Sequence, residues 1–288
     1  MRVGIDSYSY HRRYGEVRIG ERAAPGRPWA LEPGPVLAHA RGLRVEDLYL
    51  ETCYLPAPET ITPGMLDAGP ATAVGLSWGH PWPDGTYHGL DGGRSPGAEE
   101  ELVRWIRAAA RLGHPVMRIT AGSPASRGME PAEDLVARLV APLRRAADRA
   151  AAVGVALALE NHGDLRACDI LELLERVDRP NLGVCLDNVN LVRVGDDYLE
   201  GIAALGPVAH LVQLKDCLPG DPTIAGGPIC TSLGEGSLDL AAQLAVLAGS
   251  GFDGPVCVEL AALGDGPVDE LAMVERSVAW LRDNLPAA

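Results

Sequence analysis

Val155-Ala-Leu-Ala-Leu-Glu160, Leu182-Gly-Val-Cys-Leu-Asp187, Ala209-His-Leu-Val-Gln213 and Pro255-Val-Cys-Val-Glu259 share one design: a short apolar run that stops on an oxygen-bearing side chain. Each run has the length of a strand buried on both faces, and each is followed by a stretch with helical spacing. Earlier in the chain, Arg2–Asp6, Val45–Glu51, Thr72–Ser77 and Pro115–Thr120 read the same way, and Val208–Leu214 contains the third of the quoted runs. Helical periodicity is clearest over Glu99–Leu112, Ala132–Val153, Asp169–Val177, Leu238–Gly249 and Val268–Leu281. Asp169 and Ser237 stand where helix caps belong, and Gly113, Gly154 and Gly251 where the chain must leave a helix. Eight strand–helix units predict a single (β/α)8 TIM barrel spanning residues 1–288. A doubly wound open sheet is the rival, but Gly4-Ile-Asp-Ser-Tyr-Ser-Tyr10 carries no glycine-rich phosphate turn after the first strand.

In a barrel of this kind the C-terminal strand ends converge on one mouth, so residues distant in sequence become neighbours. Glu160, Asp187, Gln213 and Glu259 would then form an oxygen-rich cage for a divalent ion, and the chain reads as an enzyme. Two polar bursts follow the strands, Glu160-Asn-His-Gly-Asp164 and Asp187-Asn-Val-Asn190, with Asn190 placed to support a carboxylate or bind a hydroxyl. Lys215 beside Asp216 could neutralise an oxyanion or substrate carboxylate, or form a surface ion pair with Asp216. His210, three residues before Gln213, falls on the opposite face of its strand and is expected to pack between strand and helix. Glu16–Pro35 and Trp78–Gly97, carrying Trp29, His80, Trp82, Tyr87 and His88, follow strands and are expected to act as lids over the mouth.

The net charge of −14 argues against a general binder of phosphate backbones. No apolar stretch reaches the roughly 18–20 residues of a membrane span, and the first residues are not a signal peptide, so the cytoplasm is the expected location. The six cysteines form no CxxC pair and are expected to be buried free thiols, with Cys217 the one to watch beside Lys215-Asp216.

The chain resembles the xylose-isomerase-like, or sugar phosphate isomerase/epimerase, superfamily over nearly its whole length. The resemblance is carried by Glu160-Asn-His162, Asp187 with Asn190, Gln213-Leu-Lys-Asp216, Leu233-Gly-Glu-Gly236 with Asp239, and Glu259. It implies metal ligation by Glu160, Asp187, Gln213 and Glu259, with Glu160 and Glu259 also the acid–base pair. The family pattern at the seventh strand is His-x-Lys-Asp; Gln213 replaces that His with a neutral hard donor, which favours Mn²⁺, with Mg²⁺ or Co²⁺ as alternatives, over Zn²⁺. Relatives place substrate-binding aromatics or a His after the first strand, which nominates Tyr8, Tyr10 and His11. Arg118, His162, Asn190 and Lys215 complete the expected substrate-binding set.

The implied reaction is isomerisation or epimerisation of a small keto-sugar through an enediolate. The alternative is a lyase or decarboxylase on an oxidised sugar, similar to 3-oxo-isoapionate decarboxylases, with Lys215, Arg118 and His11 holding a carboxylate. A repair nuclease of the endonuclease IV type would need more than seven His residues and a basic groove. A non-catalytic binding module would retain no metal. The expected partner is a small keto-sugar or sugar acid, with no nucleic acid and no membrane, in a chain free to form a homo-oligomer.

Overall fold

The first and last strands of the chain lie side by side. In the computed structural model, which describes residues 1–14, 16–18, 21–22, 33–79, 89–95, 97–122, 127–218, 229–261, 263 and 268–286, β1 (Arg2–Asp6) pairs in parallel with both β2 (Asp47–Glu51) and β8 (Pro255–Val258). Between them run β3 (Ala73–Trp78), β4 (Val116–Ile119), β5 (Ala156–Glu160), β6 (Leu182–Asp187) and β7 (Ala209–Leu214), and the ring closes as one parallel barrel. The expected (β/α)8 barrel is thus observed, with each expected strand within two residues of its observed ends.

The helices among the described residues are α1 (Gly34–Leu43), α2 (Ala98–Leu112), α3 (Ala132–Ala151), α4 (Ala167–Val177), α5 (Asn188–Val194), α6 (Tyr198–Leu205), α7 (Leu240–Gly249) and α8 (Glu270–Asn284). After β2, single 3₁₀ turns at Thr52–Tyr54, Pro58–Thr60 and Pro63–Met65 replace a helix, because proline has no N–H to donate within a helix interior. Gly113, Gly154 and Gly251 all leave their helices at positive φ, as expected. Both expected caps are corrected. Asp169 is the third residue of α4, accepting the Arg166 N–H, and Asp239 rather than Ser237 caps α7. The Ser237 hydroxyl instead donates to the Cys217 carbonyl.

Strand alternation sorts the residues into two layers. Leu157, Leu159, Leu186, Val212 and Val258 join the helix-facing core, while Tyr49, Ala158, Cys185, Leu211 and Cys257 form a separate cluster inside the ring. Gly75 is needed there: a Cβ would lie 2.7 Å from the Tyr49 ring. Of the free cysteines Cys168 is exposed, against expectation, because it lies near the start of α4; the others are buried. A register shift at the start of β7 sets His210 against Gly183, with Nδ1 3.2 Å from the Leu157 carbonyl. That partner is on a strand rather than a helix. No described helix is long and apolar enough to cross a membrane. Of the expected lids, only residues 16–18, 21–22, 33–35, 78–79, 89–95 and 97 are among those described; Trp29, His80, Trp82, Tyr87 and His88 lie outside them.

Candidate active site at the barrel mouth

The last inward position of every strand carries a polar side chain. Asp6, Glu51, Ser77, Arg118, Glu160, Asp187, Gln213 and Glu259 come from β1 to β8 in turn, Glu259 one residue past its strand, and all are buried. So many desolvated charges are costly unless paired, and two cations pair them. Arg118 reaches Glu51 Oε1 at 3.2 Å through Nη1 and contacts Glu160 Oε2 through Nη2. Lys215 Nζ sits 2.6 Å from Asp187 Oδ2 and 2.9 Å from Glu259 Oε1.

Local structure explains how these groups are aimed. Asp187 ends β6 and caps α5: its Oδ1 accepts the N–H groups of Val189 (2.9 Å) and Asn190 (3.2 Å). Its Oδ2 accepts from the Asn190 amide at 2.6 Å, and the same amide is 3.2 Å from Glu160 Oε1. Asn190 therefore holds two carboxylates. On β7, Gln213 donates Nε2 to Asp6 Oδ2 (3.1 Å) and accepts the Cys185 thiol on Oε1 (3.2 Å). Asp6 also accepts the Ser77 hydroxyl at 3.0 Å and the Tyr8 N–H at 2.9 Å.

Burial pushes Glu259 up to about 8, with Lys215 opposing the rise and the neighbouring acids adding to it. Burial also works to raise Glu160, but Arg118, His162 and Lys215 outweigh it and hold Glu160 below the ordinary carboxylate value. Glu51 is raised well above its usual range, chiefly by burial, and Asp6 is raised for the same reason.

The expected set is divided by the fold. Glu160, Asp187, Gln213, Glu259, Arg118, Asn190 and Lys215 share the mouth. His162 stands beside it, half-buried, with Nδ1 3.0 Å from the Gly122 carbonyl. Tyr8 and His11 stack at 4.8 Å behind β1, and His11 Nδ1 is 2.8 Å from the Tyr8 carbonyl and 3.8 Å from Glu270 Oε1. Tyr10 turns towards α1, its hydroxyl 2.9 Å from His39 Nδ1. Asp216 forms no surface pair with Lys215; it is buried and accepts the backbone N–H groups of Cys217, Gly234, Gly236 and Leu238. Asp6 and Glu51 were missed, although both end strands on a carboxylate, the same signal that singled out Glu160 and Glu259.

In kind, the donors suit a hard divalent ion. Glu160, Asp187 and Glu259 offer carboxylate oxygens, and among the described residues the Oε2 atoms of Glu51 and Glu259 are buried without a hydrogen-bond partner. The carboxylates of Asp6, Glu51, Glu160, Asp187 and Glu259 also outnumber the cations Arg118 and Lys215. In arrangement, no three His, Cys, Asp or Glu side chains among the described residues are grouped as an ion requires, and the ammonium of Lys215 lies between two of the expected ligands.

Comparison with other proteins agrees with this architecture. The structure superimposes on an L-ribulose 3-epimerase with a TM-score of 0.72 at 19% identity, covering 99% of this chain and 94% of that one. A D-allulose 3-epimerase from Methylomonas sp. in complex with D-allulose gives 0.70 at 16% identity, covering 99% and 97%. The IolI protein with a binding zinc atom gives 0.71 at 14%, covering 99% and 98%. No curated protein matches the sequence. Residues 78–284 match the family model for the xylose isomerase-like TIM barrel. The chain belongs to the xylose isomerase-like TIM barrel family.

Proposed function

We propose that the chain is a sugar isomerase or epimerase that moves a proton at the carbon beside the carbonyl of a small keto-sugar. One observation carries this reading: two buried glutamates from separate strands share one mouth, Glu160 beside Arg118 and Asn190, and Glu259 beside Lys215. Two carboxyl groups set on separate strands around one site can serve as base and acid for a single proton transfer. Glu160 takes the proton from carbon, and Glu259 returns one to the enediolate. Return to the neighbouring carbon gives an isomerase, and return to the opposite face gives an epimerase. Asn190 keeps the Glu160 and Asp187 carboxylates in register while this happens.

Glu160, Asp187 and Glu259, with the Gln213 carboxamide oxygen, would hold a divalent ion, Mn²⁺ first by their hard donor chemistry. When bound, the ion supplies a Lewis acid for the substrate's oxygens. The isomerase or epimerase reading is supported by epimerases among the structural neighbours, one of them in complex with D-allulose.

The alternative, a lyase on a sugar acid, needs a cation for the substrate's carboxylate. Arg118 and Lys215 each already hold two carboxylates of the protein, which weighs against it. Incubation with a panel of keto-sugars in D₂O tests the proposal. Deuterium entering the carbon beside the carbonyl, with no loss of carbon, is the expected result. Release of CO₂ from a sugar acid, or no exchange with any ketose, would replace it.

A further inference from the structure

Lys215 is the chain's only lysine, and its side chain is only 6% exposed. Its backbone is fixed from both directions by one side chain. The Lys215 N–H donates to Asn188 Oδ1 at 2.9 Å, and its carbonyl accepts from Asn188 Nδ2 at 2.8 Å. Asn188 is itself steadied by Gln243, 2.9 Å from the same nitrogen. The adjacent Asp216 does not compete for the ammonium, since both its oxygens accept backbone N–H groups. The stem thus leaves a fixed point, and its head rests between carboxylates from β6 and β8, at 2.6 and 2.9 Å.

We infer that Lys215 is the built-in counter-ion of Asp187 and Glu259, and that a divalent ion gains these oxygens only by displacing its ammonium, so that this side chain sets the metal affinity of the mouth. The inference rests on reading Asp187 and Glu259 as metal ligands. An ion bound to Asp187 Oδ2 and Glu259 Oε1 would stand within a few ångströms of Nζ, where like charges repel strongly in a dry site. Lysine is suited to yielding: its ammonium is a point charge on a flexible four-carbon stem, unlike the planar fork of Arg118. Whatever the ammonium gains from the carboxylates is subtracted from the ion's affinity.

The test compares Mn²⁺ binding by calorimetry in the full-length wild type, Lys215→Met and Lys215→Arg, after chelation. Lys215→Met is expected to bind Mn²⁺ at least about tenfold more tightly, and Lys215→Arg, which keeps the charge on a fork that yields less readily, to bind it no more tightly than wild type. A second measurement needs no substitution. With ¹³Cε-labelled lysine the wild type gives a single lysine signal, and saturating Mg²⁺ should shift it. Equal or weaker Mn²⁺ binding by Lys215→Met, or an unmoved lysine signal at saturation, overturns the inference. If neither protein binds an ion, the metal part of the proposed function falls with it, whereas the deuterium-exchange test of proton transfer is decided separately.

Discussion

The Asn161 carboxamide and the Asp187 peptide exchange two hydrogen bonds: Nδ2 donates to the Asp187 carbonyl at 2.8 Å, and Oδ1 accepts the Asp187 N–H at 2.7 Å. A side chain here extends the β5–β6 pairing one step beyond Glu160, which sets Glu160 and Asp187 next to each other. Asn161→Leu, close in volume, would leave both buried backbone groups unpaired. A loss of about 2–6 kcal/mol is expected, from about 1–3 kcal/mol per orphaned group, together with slower turnover. Urea unfolding and kcat measure the two effects; unchanged stability would mean that the Asp187 peptide has found other partners.

Arg118 compensates two buried acids, Glu51 and Glu160. Arg118→Met should therefore destabilise the chain by about 3–5 kcal/mol, the usual cost of stranding a buried charge. Adding Glu51→Gln removes one stranded group, so the double variant should be more stable than Arg118→Met alone. Chemical denaturation of all three proteins checks the order.

Glu259→Gln keeps the shape of the side chain and removes its proton chemistry. Turnover should fall by about 10²–10⁴-fold, the range for losing a positioned acid or base, with little change in circular dichroism. A variant with wild-type kcat would remove Glu259 from the mechanism.

Glu270, at the start of α8, accepts the N–H groups of Arg12 (2.9 Å) and Arg13 (3.1 Å). Burial nevertheless raises it from 4.5 to about 7. Between those values the folded chain holds a proton that the unfolded chain has lost. Its contribution is complete below about 4.5 and is lost as pH rises through about 7. The full span is about 3 kcal/mol, from roughly 1.4 kcal/mol per pKa unit. In Glu270→Gln this fall should disappear, leaving a flatter stability profile between about pH 5 and 7. Unfolding series across pH would show an unchanged slope if Glu270 were not the source.

The barrel was legible because each strand advertises itself twice, by an apolar run and by the polar residue that stops it; Leu182–Asp187 matches residue for residue. The α5–α6 pair was not, because Asn188–Val194 and Tyr198–Leu205 are short and follow a strand end already read as a site. At the mouth, strand-end position identified Glu160, Asp187, Gln213 and Glu259 but not what each one touches. The direction of the Gln213 amide depends on Asp6 and Cys185, which arrive from other strands. Lys215 was a candidate for substrate, yet where its long stem comes to rest is fixed by Asp187 and Glu259 across the barrel, information absent from Gln213-Leu-Lys-Asp216. Tyr10 followed its strand as expected, but 3₁₀ winding of Ser7–Tyr10 turned its ring towards His39.

Beyond Lys215 the chain makes an antiparallel ribbon, Asp216–Leu218 against Ile229–Thr231, and Asp216 ties the far side of that connection through Gly234, Gly236 and Leu238. The ribbon closes the intervening segment at its base, so the separation of its two ends is set independently of its length. Each doubling of a closed flexible segment costs only about 0.6 kcal/mol in chain entropy. Leu218 and Ile229 are therefore natural graft points: sequences of different length and chemistry can be joined between them while Lys215 keeps its place.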